Sequence, residues 1–183
     1  MTVDNAHRRP RRGDTLMRST RDVMGMFATG ITVVTAGGEG PHGMTANAFS
    51  SVSLDPPLVL VCVARTAVMH DAILDCGSYA VSVLGGEQEQ VARYFADCRR
   101  PRGVAQFHGI GWRAGPYTGA PLLDGALAWL ECELAEVYEG GDHSIFLGRV
   151  LGIGRVEDGR ALLFFAGGYH RMVPVEPRAG RSG

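Results

Sequence analysis

Residues 43–64 read GMTANAFSSVSLDPPLVLVCVA, and this stretch decides the fold. Its first half consists of small, hydroxylated and carboxamide side chains, and Asp55-Pro56-Pro57 then leads into the apolar run Leu58–Val63. An apolar run of this length after a proline turn predicts a buried strand. Small side chains let a flat ligand approach the backbone, while hydroxyls and amides form hydrogen bonds without adding a fixed charge. The stretch therefore predicts a sheet that holds a polar, phosphate-bearing ring system.

Composition limits the class of protein. A chain of 183 residues most often forms one domain with a substantial core. The formal net charge is −1, so no overall field attracts nucleic acid or a membrane, and we expect neither as a partner. All 18 cationic residues are arginines, which excludes Schiff-base catalysis by a lysine and a phosphate loop built on a lysine.

The sequence also predicts a cytoplasmic location. The opening residues, MTVDNAHRRPRRGD, are polar and lack the apolar stretch of a signal peptide, and no run approaches the ~20 apolar residues of a membrane span. The four cysteines, at positions 62, 76, 98 and 132, are widely spaced and form no Cys-x-x-Cys pair. Cys62 and Cys132 lie in strand-like apolar runs, which indicates reduced, buried thiols rather than a zinc site.

The chain divides into an arm, a domain and a tail. Residues 1–15 are rich in arginine and predict a flexible arm, and residues 176–183 predict a loose tail after a domain over 16–175. From Leu16 the apolar spacing is helical as far as Phe27, and Gly30 is the expected C-terminal cap.

Strands outnumber helices in the rest of the domain. Two short helices are expected at 68–75 and 87–96. At least six strands with two or three short helices predict a mainly β fold, a barrel rather than a parallel α/β sheet. The main strand-like stretches are Ile31–Ala36, Leu58–Ala64, Tyr79–Leu84, Ala126–Tyr138, Ser144–Ile153 and Ala161–Phe165.

One of these strands shows a strict alternation. Leu130, Cys132 and Leu134 alternate with Glu131 and Glu133, which predicts a half-buried strand with both carboxylates directed outward.

Gly-x-Gly motifs and one Gly-Gly-Asp segment stand out in the sequence. Gly-x-Gly occurs at 109–111 and 152–154, but neither continues as the dinucleotide fingerprint, so we predict bulges or close approaches rather than a Rossmann fold. Residues 140–144, GGDHS, are typical of a hairpin turn, and we expect His143 to project from that turn at a barrel mouth.

Five motifs, taken in order, give the chain a family resemblance. They are MGMFATGITVVTA (24–36), HGMTANAFSSVSLDPPLVLVCV (42–63), YAVSVL (79–84), GGDHSIFLGRV (140–150) and LLFFAGGY (162–169). The chain resembles the short flavin reductases, the NAD(P)H:flavin oxidoreductase components of two-component monooxygenases. The resemblance implies an FMN-binding split barrel of Greek-key type that works as a homodimer.

The resemblance also implies the binding residues. Thr45, Ala46 and Asn47 would face the isoalloxazine edge and ribityl chain, and backbone amides around Cys62, Val63 and Ala64 would address the ring. Many relatives have Thr or Ser where this chain has Ala67, which removes one phosphate contact. The remaining implied residues are Ser50, Ser51, Arg65 and Thr66 for the flavin phosphate, His143 for nicotinamide positioning, Tyr169 nearby, and His70 as a further cofactor contact.

The implied reaction is hydride transfer from nicotinamide C4 of NADH or NADPH to flavin N5, after which reduced FMN or FAD feeds a separate monooxygenase. The protein would position the two cofactors, so no general base is required. Two alternatives stay open, a flavin-binding protein without turnover and a related barrel oxidase with tightly bound FMN. The sequence leaves the choice between FMN, FAD and riboflavin, and between NADH and NADPH, undecided.

Overall fold

A computed structural model of the chain describes residues 12–173, with the backbone alone for the first four of them. Three α-helices, one 3₁₀-helix and twelve strands are found in this range. No helix of the described part is long and apolar enough to cross a membrane. The helices are α1 Arg12–Met24, α2 Val68–Cys76, α3 Glu89–Ala96 and the 3₁₀-helix Gly103–Phe107. The strands are β1 Thr29–Gly30, β2 Thr32–Ala36, β3 His42–Ala46, β4 Phe49–Leu54, β5 Pro57–Ala64, β6 Ser78–Val83, β7 Trp112–Ala114, β8 Pro121–Leu123, β9 Ala128–Gly140, β10 His143–Arg155, β11 Leu162–Phe165 and β12 Gly168–Arg171.

The main sheet is antiparallel and has the strand order β3-β2-β6-β9-β10-β5-β4. Strands β3 and β4 lie at opposite edges of this order, yet only Asn47 and Ala48 separate them in the chain. The sheet must therefore curl until its two edges meet at this dipeptide. The Cys62 N–H donates to the Ala48 carbonyl at 2.9 Å, which ties β5 to the junction. The predicted mainly β split barrel of Greek-key type is confirmed.

Strand β5 shows how the sequence pattern sets the two faces of the sheet. Val59, Val61 and Val63 point into the core, while Leu60 and Cys62 face the other side and are half-buried. Alternate side chains of a strand point to opposite faces, so the three valines pack inward together. Burying each valine contributes about 1.5–3 kcal/mol, which fixes the register of β5 and with it the direction of Cys62.

A second core cluster lies between the barrel, α3 and the 3₁₀-helix. The rings of Phe95 and Phe107 are tilted against each other with centroids 5.5 Å apart, and both are buried. A Cβ atom at Gly43 would lie 2.6 Å from Cε1 of Phe95, so glycine at this position lets α3 approach β3. Thr45 strengthens the same contact because its hydroxyl donates to the Ala92 carbonyl at 2.7 Å.

The glycines of β10 confirm the prediction of bulges and close approaches. The pairing of β9 with β10 shifts between Val150 and Gly152, and a Cβ at Gly152 would lie 2.5 Å from the Tyr117 ring. Gly141 occupies the left-handed region with φ 76° and forms, with Asp142, the two-residue turn between these strands. The predicted hairpin at 140–144 is therefore present.

The structure corrects the prediction for the first helix and its cap. Helix α1 begins at Arg12, four residues before the expected start at Leu16. Gly30 is not its cap but pairs with Leu163 in β1, while the Gly25 N–H donates to the Arg21 carbonyl at 2.8 Å. The apolar residues of the next strand begin directly after Gly30 and extend the chain there. Residues 1–11 of the predicted arm and the whole predicted tail lie outside the described residues.

The alternation expected in β9 fails at Glu131, which is 3% exposed. The loop before β8 covers this carboxylate. Its Oε2 accepts hydrogen bonds from Tyr117 N at 3.0 Å, Thr118 N at 2.8 Å and Thr118 Oγ1 at 2.9 Å. A buried carboxylate is tolerated when several donors replace its water. Burial of Glu131 thus depends on a loop thirteen residues away, which strand periodicity does not reveal.

Candidate functional site

The junction of the two sheet edges at Asn47 is the centre of the candidate site. Two neighbouring cavities share Asn47, Arg21 and Met24 among their walls. We call the first the ring cavity and the second the α1 cavity. The ring cavity has a volume of about 720 Å³, and the α1 cavity has about 760 Å³.

The ring cavity combines apolar walls with one polar edge. Phe27 and Phe164 supply aromatic surface, and Asn47, Ser50 and Cys62 supply polar atoms. Burial raises the pKa of the Cys62 thiol, so at neutral pH this group is an uncharged, polarisable contact. Apolar surface with a few convergent polar groups is the usual lining of a site for a planar ring.

A buried hydroxyl of the ring cavity wall lacks a partner. Thr29 lines the cavity, and its Oγ1 is buried without a hydrogen bond among the described residues. Most buried hydroxyls in proteins form a hydrogen bond. Rotation about χ1 of Thr29 would turn its Oγ1 into the ring cavity, where a polar ligand would supply the partner.

The α1 cavity places His143 opposite helix α1. His143 Nδ1 lies 2.8 Å from Asp142 Oδ1, and the hydrogen bond from His143 lowers the pKa of the Asp142 carboxyl. The carboxylate therefore orients the imidazole, and Nε2 is the ring nitrogen left for a ligand. Helix α1 contributes Leu16, Met17 and Thr20 to the opposite wall.

A third cavity, of about 440 Å³, is lined by Met44 and Thr45 of β3 and shares none of its described lining residues with the other two. We call it the arginine cavity because Arg100 and Arg102 line it together with Thr45 and Thr66. Ala67 and Val68 also line it, so the N-terminus of helix α2 opens there without a side-chain cap. Two guanidinium groups and a helix N-terminus make the cavity attractive to anions.

Arg100 is held by neutral acceptors. Its Nη1 donates to the Asp97 carbonyl at 2.8 Å, and its Nη2 donates to the Gly43 carbonyl and to His42 Nε2, the latter at 3.2 Å. Burial, together with the charges of Arg100 and Arg102, lowers the pKa of His42 to about 4. His42 is therefore a neutral acceptor at pH 7, and the positive charge of Arg100 is not compensated by it.

The structure brings several predicted residues together. Asn47, Ser50, Cys62 and His143 line the ring and α1 cavities, and Thr45 and Thr66 line the arginine cavity. Thr45 and Asn47 are two residues apart, so the arginine cavity and the ring cavity adjoin the same short segment of the chain. A ligand that spans the junction therefore meets both sets.

The predicted amides of β5 are only partly available. The Cys62 N–H is already bonded to Ala48, which corrects the prediction for that amide. The Arg65 N–H donates to the Asp142 carbonyl, on the β10 side of β5. In an antiparallel strand every second N–H points to the same neighbouring strand, so the Val63 N–H also points towards β10. The same alternation points the Ala64 N–H to the open side of β5.

Other predicted contacts serve the protein itself in this structure. Arg65 Nη2 pairs with Glu139 Oε1 at 2.9 Å on the surface, and His70 Nε2 lies 3.0 Å from Ser144 Oγ. Tyr169 packs against Phe164 beneath the guanidinium of Arg93. The three cavities are not lined by Arg65, His70 or Tyr169, nor by the buried Ala46 and the exposed Ser51.

Apart from Thr66 and His143, the cavity residues outside the 43–64 stretch were missed by sequence reasoning. Phe27 and Thr29 belong to MGMFATGITVVTA, which supported the family resemblance but received no individual role. Arg100 and Arg102 lie in a loop rich in arginine, proline and glycine, whose charge was a usable signal for an anion site.

Comparison with known proteins agrees with this geometry. Residues 24–172 match the Flavin reductase like domain family, so the chain belongs to that family. It is 53% identical over 154 residues to an NADH-dependent FAD reductase from Streptomyces globisporus, covering 84% of this chain and 85% of that protein. It is 38% identical to the flavin-dependent monooxygenase reductase subunit HsaB from Rhodococcus jostii, covering 86% of this chain and 78% of that protein. The crystal structure of BorF, the flavin reductase component of a bacterial two-component tryptophan halogenase, is 51% identical with a TM-score of 0.83, covering 87% of this chain and 99% of BorF.

Proposed function

We propose that this chain is an NAD(P)H:flavin oxidoreductase that supplies reduced flavin to a separate monooxygenase. The observation that carries the proposal is the pair of cavities that meet at Asn47. One has aromatic walls and a polar edge that suit an isoalloxazine, and the other adjoins it beside His143. Relatives described as NADH-dependent FAD reductase and as a monooxygenase reductase subunit support the same reaction.

The protein contributes binding and orientation to this reaction. When bound, the nicotinamide and flavin supply the chemistry, a hydride passing from C4 to N5. Asn47 and Ser50 hold the polar edge of the ring, and Phe27 and Phe164 exclude water from its faces. His143, oriented by Asp142, positions the nicotinamide. No residue has to accept or donate a proton during the hydride step itself.

Steady-state oxidation of NADH in the presence of added flavin tests the proposal. The wild-type protein should turn over NADH continuously with free flavin as the acceptor. Asn47→Ala should raise KM for both substrates because Asn47 lines both cavities, while Gln90→Ala, an exposed carboxamide truncation, should leave both unchanged. Absence of flavin-dependent NADH oxidation by the wild-type protein would show that the proposal is wrong.

We further propose that the preferred flavin is FAD. The arginine cavity lies at the far end of Thr45–Asn47 from the ring cavity, and its two guanidinium groups suit a diphosphate. FMN carries one phosphate and riboflavin none, so Arg102→Ala should weaken FAD binding most and riboflavin binding not at all. Quenching of flavin fluorescence measures the three dissociation constants. Equal losses for all three flavins would contradict this preference.

A homodimer is the proposed working form. Large apolar side chains remain exposed on the described surface, among them Leu54 at 90% and Ile153 at 81%. A protein contact between two copies would remove these side chains from water. Ile153→Asp should shift the mass measured by light scattering from dimer to monomer, and a wild-type monomer at working concentration would refute the proposal.

The four cysteines are free thiols, which supports a cytoplasmic location.

A further inference from the structure

Arg21 occupies a position that the family resemblance did not assign. It lies on helix α1, four residues before Gly25, and lines both the ring cavity and the α1 cavity. Its side chain is exposed, so the guanidinium stands at the opening that the two cavities share. His143 lines the α1 cavity from the opposite side.

The charge of this opening is one-sided. Among the described residues that line these two cavities, Arg21 is the single guanidinium, and none is aspartate or glutamate. The ion pairs of the described residues do not include Arg21. An exposed guanidinium beside two cavities without a carboxylate attracts an anionic ligand.

The interior of the cavities cannot hold that anion. Met24, Phe27, Leu60 and Phe164 make the walls largely apolar, and a charged group placed against them would lose its hydration without compensation. A ligand with a ring inside and a charge outside satisfies both conditions. Reduced nicotinamide dinucleotides have this form, since a diphosphate is joined to the nicotinamide ring through one ribose.

We infer that Arg21 binds the diphosphate of the reduced nicotinamide dinucleotide at the mouth of the α1 cavity. This inference rests on the proposed reductase function. The proposed FAD site places the flavin's own phosphates beside the guanidinium groups of the arginine cavity, which shares none of its described lining residues with the ring and α1 cavities. Although Arg21 also lines the ring cavity, its side chain is exposed and the flavin phosphates are placed elsewhere, so Arg21 affects affinity for the electron donor more strongly than affinity for flavin.

Arg18 provides a matched control. It carries the same charge on the same helix, is also exposed, and lines neither cavity. Loss of a charge-assisted hydrogen bond in an exposed position corresponds to about a ten-fold change in affinity. Arg21→Ala should therefore raise KM for NADH and the dissociation constant of NAD⁺, measured by titration calorimetry, by about ten-fold. Arg18→Ala should change neither, and Arg21→Lys should recover part of the loss.

An electron donor without phosphates shows whether Arg21→Ala weakens binding of the diphosphate or instead disturbs helix α1. N-benzyl-1,4-dihydronicotinamide carries the same reactive ring, so its rate with Arg21→Ala should equal that of the wild type. An unchanged NAD⁺ dissociation constant in Arg21→Ala would overturn the inference. So would an equal loss with the phosphate-free donor, or a rise in KM for flavin as large as the rise in KM for NADH. If the wild-type protein oxidised neither donor, the reductase function itself would fail, while the NAD⁺ titration would still test Arg21.

Discussion

Acidification should destabilise this protein through a single buried imidazole. His42 is 8% exposed and accepts a hydrogen bond from Arg100. Burial and the neighbouring arginine charges lower its pKa from 6.5 to about 4. In the unfolded chain the same group takes up a proton near pH 6.5, so between pH 6.5 and 4 the unfolded state binds more protons than the native state. Stability is therefore complete above pH 6.5 and falls as the pH is lowered through this window.

The size of the effect follows from the two pKa values. Between pH 7 and pH 5 the difference in proton binding by His42 reduces the free energy of unfolding by about 2 kcal/mol. For a protein of this size the corresponding decrease in melting temperature is about 4–8 °C. Asp97 does not contribute between pH 7 and pH 5. Its pKa is 3.8 in the unfolded chain and the hydrogen bond with Arg99 lowers it to about 2 in the native state, so both values lie below this range.

The assay compares the wild type with His42→Gln by urea unfolding at both pH values. Glutamine keeps an oxygen that accepts from Arg100 but cannot take up a proton. Carboxylates elsewhere titrate alike in both proteins, so the difference between them isolates His42. We expect the wild type to lose about 2 kcal/mol more than the variant on acidification. An equal loss in both would refute the reasoning, because His42 would then have the same pKa in the folded and unfolded states.

Three further substitutions test the packing. Gly43→Ala places a Cβ 2.6 Å from the buried Phe95 ring and should cost about 1–3 kcal/mol in urea unfolding, whereas an unchanged midpoint would mean that α3 moves freely. Glu131→Ala leaves the backbone and hydroxyl donors of Thr118 without their acceptor; it should cost about 2–4 kcal/mol, and a melting curve like that of the wild type would contradict this role. Ala166, with φ 49°, is a non-glycine residue in the left-handed region, so Ala166→Gly should raise stability by up to about 1 kcal/mol, and a clear loss would show that the turn is not strained.

Local patterns were sufficient to predict six of the twelve strands in the described part of the chain, namely β2, β5, β6, β9, β10 and β11. The apolar run of β5, the β-branched residues of β2 and the turn at Gly141-Asp142 each depend on neighbours in the chain, and each lies where the sequence placed it. Five motifs in order were sufficient to predict the family and, through it, the split barrel.

The candidate site was predictable only in part. Asn47, Ser50, Cys62 and His143 line cavities as expected, because strand ends and hairpin turns bring their side chains to the barrel edge. Arg65 was predicted to bind the flavin phosphate, but in this structure Glu139, 74 residues away, pairs with it. Such a contact leaves no trace in the local sequence.

What the sequence by itself determined is six of the twelve described strands, the hairpin turn at Gly141-Asp142 and the family. What only the tertiary structure decided is which distant segments meet. Arg100 reaches His42 across 58 residues, and Glu131 is buried by a loop that strand alternation does not describe. The physical reason is that alternation and turn preferences act over a few residues, whereas burial and hydrogen bonding depend on every segment that the curled sheet brings together.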